Sequence, residues 1–277
     1  MLIKNYLPTM NRSEIFLVMV SGMGTIAGSV MGTYIGMLGG TDPAAKVLFA
    51  THLLSASVMA VPGSIVLAKM LCPQTEEATD HVAISGKEKE NSNILDAISS
   101  GTVTGVKLMT NIAAMLLVFI SLVALANYIT EGVIGRYTGL NDWIVKITDG
   151  KAQGLTFQFI LGVITSPFMW LIGVPSQDIM LVGSLLGQKT ILNEFVAYFQ
   201  LQQWKDAGLF MYEKSILMST YILCGFANIS SIGILLGGLG VLAPEKRGLI
   251  SRIGVPAMIG GALVSVLSAT IIGMILG

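Results

Sequence analysis

Apolar positions in this chain run in long blocks, without the alternating or one-in-three-to-four rhythm of a water-soluble domain. Blocks at 15–40, 47–71, 108–129, 154–174, 215–242 and 254–276 each approach or exceed the roughly 20 residues a helix needs to cross a bilayer. The pattern predicts an all-α, multi-pass integral membrane protein. Gly39, Gly40 and the Asp42-Pro43 pair end the first block and Pro73 ends the second, each a recognised helix breaker. Ser13 and Glu14 read as the cap and first turn of the first helix.

Between the blocks the chain is less regular. Residues 74–93 hold five acids, two lysines and His81, which marks an aqueous loop. Residues 92–107 place Ile94, Leu95 and Ile98 on a stripe among small residues and read as a helix lying at the membrane interface. The block around Pro167 closes with Gly173 and Pro175, and the sequence leaves open a kinked span or a helix along the surface. Two helical pieces within 177–203 are each too short to cross, a length that fits a re-entrant hairpin. Four regions result: a first broken helix and the span after it (1–73), a polar loop and interfacial helix (74–107), a span and linker (108–152), and a hairpin, a second broken helix and a final span (153–277).

Composition supports the membrane reading and removes several functions. Of 277 residues, 53% are hydrophobic and 12% charged, against about 25% charged in soluble domains; mean hydropathy is +0.76. Sixteen basic and sixteen acidic residues balance to zero net charge, so no nucleic-acid partner is implied. Cys72 and Cys224 offer neither a disulfide framework nor metal-ligand spacing. Residues 1–14 lack the charged-then-apolar order of a secretory leader. No GxSxG, HExxH or Walker lysine loop occurs, and a non-enzyme without a cofactor is expected. The 16 methionines suit adaptable packing, and Asn111 and Asn127 suit interhelical contacts. His52 reads as a hydrogen-bonded structural group ahead of a proton carrier.

One stretch resists a purely structural reading. In "ILNEFVAYF", residues 191–199, Asn193 and Glu194 stand in an otherwise apolar run. A carboxylate at hydrocarbon depth costs at least about 2.5 kcal/mol, so Glu194 is expected where water, a partner or a ligand meets it, facing a cavity. Setting "SGMGTIAGSVMG" (21–32) over "CGFANISSIGIL" (224–235) pairs Gly22 with Gly225, Thr25 with Asn228 and Ile26 with Ile229. Both read as spans interrupted by glycine and small polar residues, and interrupted spans at matching places in two halves point to the binding site of a secondary transporter.

The stretches "GVPSQDIMLVGSLLGQKTILNEFVAY" (173–198), "CGFANISSIGILLGGLGVLAPEKR" (224–247) and "GTIAGSVMGTYI" (24–35) resemble the concentrative nucleoside transporter family. The resemblance implies an inverted-repeat fold with re-entrant hairpins and broken helices, assembled as a homotrimer in the cytoplasmic membrane of a bacterium, coupling nucleoside uptake to a cation, sodium or proton. Carried over by motif, Glu194, Asn228 and Ser231 would hold the ribose hydroxyls, Phe226 and Val30 would flank the base, and the main chain at Thr25 and Ile26 would help ligate sodium. The chemistry agrees: a carboxylate accepts from sugar hydroxyls, and an amide offers donor and acceptor. Family members carry a scaffold region and a first hairpin upstream of Leu2 that have no counterpart here. The alternative expectation is therefore a transport-incompetent fragment, or a subunit needing a separate N-terminal half.

Overall fold

The computed structural model describes residues 6–76, 93–148, 150 and 152–277. Most of the aqueous loop, His81 included, and the side chain of Asn111 lie outside the described residues. Two compact units divide the chain, one comprising residues up to Asp80 and from Gln158 onward, the other His81–Phe157.

In the second unit a single helix, α4 (Ile94–Asn127), replaces the interfacial helix and separate span expected over 92–129. The Asn93 side chain accepts the Asp96 N–H at 2.9 Å and starts the helix. Gly101 and Gly105 are too weak to stop it, since an apolar helix satisfies its backbone internally whatever the side chain. α4 runs into a π-helical segment, Tyr128–Gly135, followed by α5 (Arg136–Thr138) and α6 (Leu140–Ile147). The Asn127 side-chain oxygen, Oδ1, accepts the Phe157 N–H at 2.7 Å, where α7 (Phe157–Leu171) begins. At 15 residues α7 rises about 22 Å, short of the roughly 30 Å hydrocarbon thickness.

The first unit contains the elements that surround Glu194. α1 (Arg12–Gly24) and α2 (Gly28–Gly39) are collinear in sequence but separated by a break at Thr25–Ala27. The cap of α1 is Asn11, not Ser13: its side chain accepts from Glu14 N at 2.9 Å while Glu14 returns a bond to Asn11 N at 2.8 Å. Ser13 instead donates to the Cys72 carbonyl at 2.7 Å, tying the start of α1 to the end of α3 (Pro43–Leu71).

α8 (Ile179–Ile191) and α9 (Glu194–Asp206) form a helical hairpin whose tip is Leu192 and Asn193. α10 (Glu213–Leu223) and α11 (Ile229–Leu242) are separated by a second break, 224–228, and α12 (Arg247–Ile275) closes the chain. Among the described residues Arg12–Gly39, counted across its break, Pro43–Leu71 and Pro244–Ile275 are long and apolar enough to cross a membrane.

α12 is the spine of this unit and packs on α1, α3, α10 and α11. Its small residues let the two breaks approach: a Cβ on Gly261 would lie 2.8 Å from Met23 Cβ and 3.3 Å from Ala227 Cβ. Close backbone approach through small residues is the usual source of helix association where lipid removes the hydrophobic drive. α2 lies against α3 and α9, so the first broken helix reaches the hairpin.

Candidate functional site

The second break frees backbone groups, and their new partners define the site. In an uninterrupted helix the N–H groups of Cys224, Phe226 and Asn228 would bond the carbonyls of Thr220, Ile222 and Cys224. Here Cys224 N turns to Tyr221 O and Asn228 N to Phe226 O, at 3.1 and 2.9 Å. The three abandoned carbonyls take side-chain donors: Tyr198 Oη donates to Thr220 O at 2.8 Å, Lys189 Nζ to Ile222 O at 2.8 Å and Ser265 Oγ to Cys224 O at 2.5 Å. Gly225, at φ +116°, makes the turn possible, a conformation open to glycine and strained for other residues.

Past the turn, Asn228 starts α11. Its Oδ1 accepts from Ser231 N at 2.9 Å, Ser231 Oγ at 2.9 Å and Ser230 Oγ at 2.7 Å. Ser231 Oγ also lies against the Phe226 carbonyl. The amide's acceptor side is therefore spent on capping, and only its NH2 points outward, contrary to the expectation that it offers both donor and acceptor. That NH2 donates to Glu194 Oε2 at 3.1 Å.

Glu194 opens α9, held there by Asn193, whose side chain accepts from Val196 N at 2.9 Å. Its other oxygen, Oε1, accepts from Tyr34 Oη on α2 at 3.3 Å. With 6% exposure the carboxylate is met by partner side chains where a cavity had been expected. A carboxylate has about four acceptor positions, and these two bonds leave capacity for further hydroxyl donors. Tyr34 is fully buried, its ring stacked on Tyr198 at 4.0 Å between centroids and tilted against Phe195 at 6.0 Å.

The structure thus brings Glu194, Asn228 and Ser231 together from two elements. Phe226 and Val30 are partly buried and pack on the same apolar cluster as Ile26, Tyr198 and Leu223. Thr25 and Ile26 lie in the first break, with Thr25 Oγ1 bonded back to Ser21 O at 2.9 Å. Gly225 closes on that break, where an added Cβ would stand 2.9 Å from the carbonyl oxygens of both Met23 and Gly24. The helix starts shift the repeat register: Ala27 occupies the N-cap position of α2, without a side-chain bond, where Asn228 occupies that of α11, so by helix start Ala27 rather than Thr25 stands opposite Asn228. His52 Nδ1 lies 3.1 Å from Tyr221 Oη, a tie between α3 and α10.

Tyr34, Tyr198 and Lys189 were not anticipated. A tyrosine in an apolar block looks like packing, and nothing local shows that Tyr34 meets Glu194 160 positions away.

Comparison with known proteins places the chain among transporters. Residues 52–273 match the family profile described as "Na+ dependent nucleoside transporter C-terminus". An uncharacterized transporter of Haemophilus influenzae is 38% identical over 100% of this chain and 62% of its own length. The nucleoside permease NupC of Helicobacter pylori is 37% identical, over 100% of this chain and 61% of its own. Sodium/nucleoside cotransporter 1 of Rattus norvegicus is 38% identical, over 99% and 41% respectively. The solved structure of CNTnw in an inward-facing substrate-bound state superposes with a TM-score of 0.82 at 34% identity, covering 100% of this chain and 60% of that one. The chain spans about three fifths of these bacterial relatives' length and about two fifths of the mammalian one's.

Proposed function

The chain belongs to the family of Na+-dependent nucleoside transporters, and from this premise we propose that it forms the C-terminal transport region of a cation-coupled nucleoside symporter. The observation that carries the reading is the 3.1 Å bond from Asn228 to Glu194, which joins the hairpin and the second broken helix at one polar point. In the proposed complex the ribose hydroxyls donate to the remaining lone pairs of Glu194 and accept from the second N–H of Asn228, with the Ser231 hydroxyl beside them. Each is a charge-assisted or polar bond in a buried setting, where such bonds are strong. Phe226 and Val30 flank the base.

A coupling cation, sodium or proton, adds the driving force. Sodium would be ligated by main chain at Thr25 and Ile26, next to the point where Gly225 closes on the first break. Coupling then follows from shared structure: a cation that orders the first break favours the closure holding Tyr34 against Glu194, and by reciprocity nucleoside binding raises cation affinity to the same degree. The hairpin is proposed to be re-entrant and the assembly a homotrimer.

The test is uptake of labelled uridine into cells lacking their own nucleoside transporters, with sodium or choline outside, by this chain alone and with the upstream part of a bacterial relative co-expressed. Sodium- or proton-dependent uptake supports the reading; no uptake in any combination sinks it. Uptake only with the upstream part favours the second reading, a subunit that needs an N-terminal half.

A further inference from the structure

Lys189 carries a charge that makes no hydrogen bond to the proposed nucleoside-binding groups, although Glu194 attracts it through space. It sits in the last turn of α8, fully buried. Among the described residues no carboxylate forms an ion pair with it. Its ammonium donates to Ile222 O at 2.8 Å and Ser265 Oγ at 2.9 Å. The Ser265 hydroxyl, having accepted that bond, sends its own hydrogen to Cys224 O at 2.5 Å. Both carbonyls belong to the end of α10 and were freed by the break. Lys189 thus reaches one directly and the other through a single hydroxyl.

Hydrogen bonding alone does not explain a lysine here. Tyr198 satisfies the neighbouring Thr220 carbonyl with a neutral hydroxyl at 2.8 Å, and Ser265 satisfies Cys224 in the same way. Burying an unpaired ammonium costs several kcal/mol, so a charge placed where a hydroxyl suffices must be offset by something only a charge supplies. Attraction to Glu194 supplies one part, and the negative end of the α10 dipole, at which cations are stabilised and where the ammonium makes its hydrogen bonds, supplies another. Interrupted helices in transporters commonly use that end, with its free carbonyls, to coordinate a coupling cation.

We propose that Lys189 is a tethered cation built into the second break: its ammonium holds the carbonyl end of α10 in the manner of a bound monovalent ion, so no free cation is taken up there. The two breaks then differ in kind. The second is held by a charge that never leaves, and it stays formed whether or not a coupling ion is present. Ser265 positions the ammonium and relays its bond to Cys224.

The experiment is thermal melting of the purified full chain in lipid nanodiscs, which needs no substrate and so stands apart from the transport reading. Lys189→Ala is expected to melt about 10 °C lower than the parent chain in choline chloride. Methylammonium chloride, a small cation with N–H donors, should restore at least half of that loss. Tetramethylammonium, which has no N–H, should restore none, and the parent chain should not respond to either salt. A Lys189→Ala chain that no small cation restores, or that melts like the parent, overturns the proposal. If Lys189→Ala does not fold, Lys189→Arg and Lys189→Met decide: Arg melting within about 3 °C of the parent while Met falls supports a required charge, and equal melting of the two overturns it.

Discussion

Asn228 Nδ2 and Glu194 Oε2 meet at 3.1 Å although 34 positions separate them in sequence, and each residue is also the first or capping residue of its helix. Two helix starts thus converge on one carboxylate. Helix N-termini favour negative charge, so the ionised form of Glu194 is favoured by its own helix, by the Lys189 charge and by the bonds from Tyr34 and Asn228, against the cost of its burial.

The first prediction concerns that charge. Glu194→Gln keeps the shape but replaces an acceptor-only group with one that must donate on one side, losing charge-assisted bonds worth about 1.5–3 kcal/mol each. Uridine affinity should fall about 10- to 100-fold, measured by calorimetry or by uptake in an active form. The loss should be several-fold smaller for 2′,3′-dideoxyuridine, which lacks the hydroxyls assigned to Glu194. Equal losses for both nucleosides would remove the ribose from this site.

The second separates the two duties of Asn228. Asn228→Ala removes the cap of α11, costing about 1 kcal/mol of stability, and leaves Glu194 without one donor. Asn228→Asp keeps an oxygen for Ser231 N and Ser231 Oγ, so the cap survives, but sets a second carboxylate against Glu194. Melting should therefore drop further for Ala than for Asp, while uridine binding should be lost more completely in Asp. Should both variants lose stability and binding in the same proportion, capping alone accounts for Asn228.

Much of the frame was legible beforehand because membrane helices write themselves in uninterrupted apolar runs. The two breaks were visible as glycine and small polar residues inside such runs, and Glu194 as a charge where none is affordable without a partner. What escaped was set by distance or by competition between neighbours. Asn11 outcompeted Ser13 for the α1 cap because it forms a reciprocal pair with Glu14. The merger of 92–107 with the following span followed from the absence of a proline. The repeat was legible in kind but out of register, because glycine positions suggested the alignment while caps define the breaks. Nothing local in the sequence singles out Lys189, since its partners Ile222 and Ser265 lie on other elements.

The third prediction uses Tyr34, which joins the first broken helix to Glu194. Tyr34→Phe removes only the hydroxyl at 3.3 Å and leaves the ring stacked on Tyr198. Loss of one hydrogen bond of about 1 kcal/mol should weaken uridine binding about five-fold with a shift in melting under about 3 °C. The dependence of uridine affinity on the coupling cation should also shrink, since the tie between the first break and the carboxylate is cut. Binding unchanged from the parent chain would exclude Tyr34 from the site.

The last prediction tests whether the two breaks depend on one another. Gly225 sits at φ +116°, and an added methyl would stand 2.9 Å from the Met23 and Gly24 carbonyl oxygens across the interface. Gly225→Ala therefore meets two penalties, about 1 kcal/mol for the backbone conformation and a forced separation of the breaks that no rotation of a side chain relieves. Melting should fall by about 10 °C. Gly233→Ala is the control, with nothing within 4 Å of the added carbon, and should melt within about 2 °C of the parent. Because the methyl pushes on the first break from the second, the substitution should also weaken the cation binding proposed at Thr25 and Ile26, read as a higher sodium concentration for half-maximal uridine binding. If Gly225→Ala melts low but leaves that concentration untouched, the contact stabilises the fold without linking the breaks, and coupling between cation and nucleoside must run through Tyr34 alone.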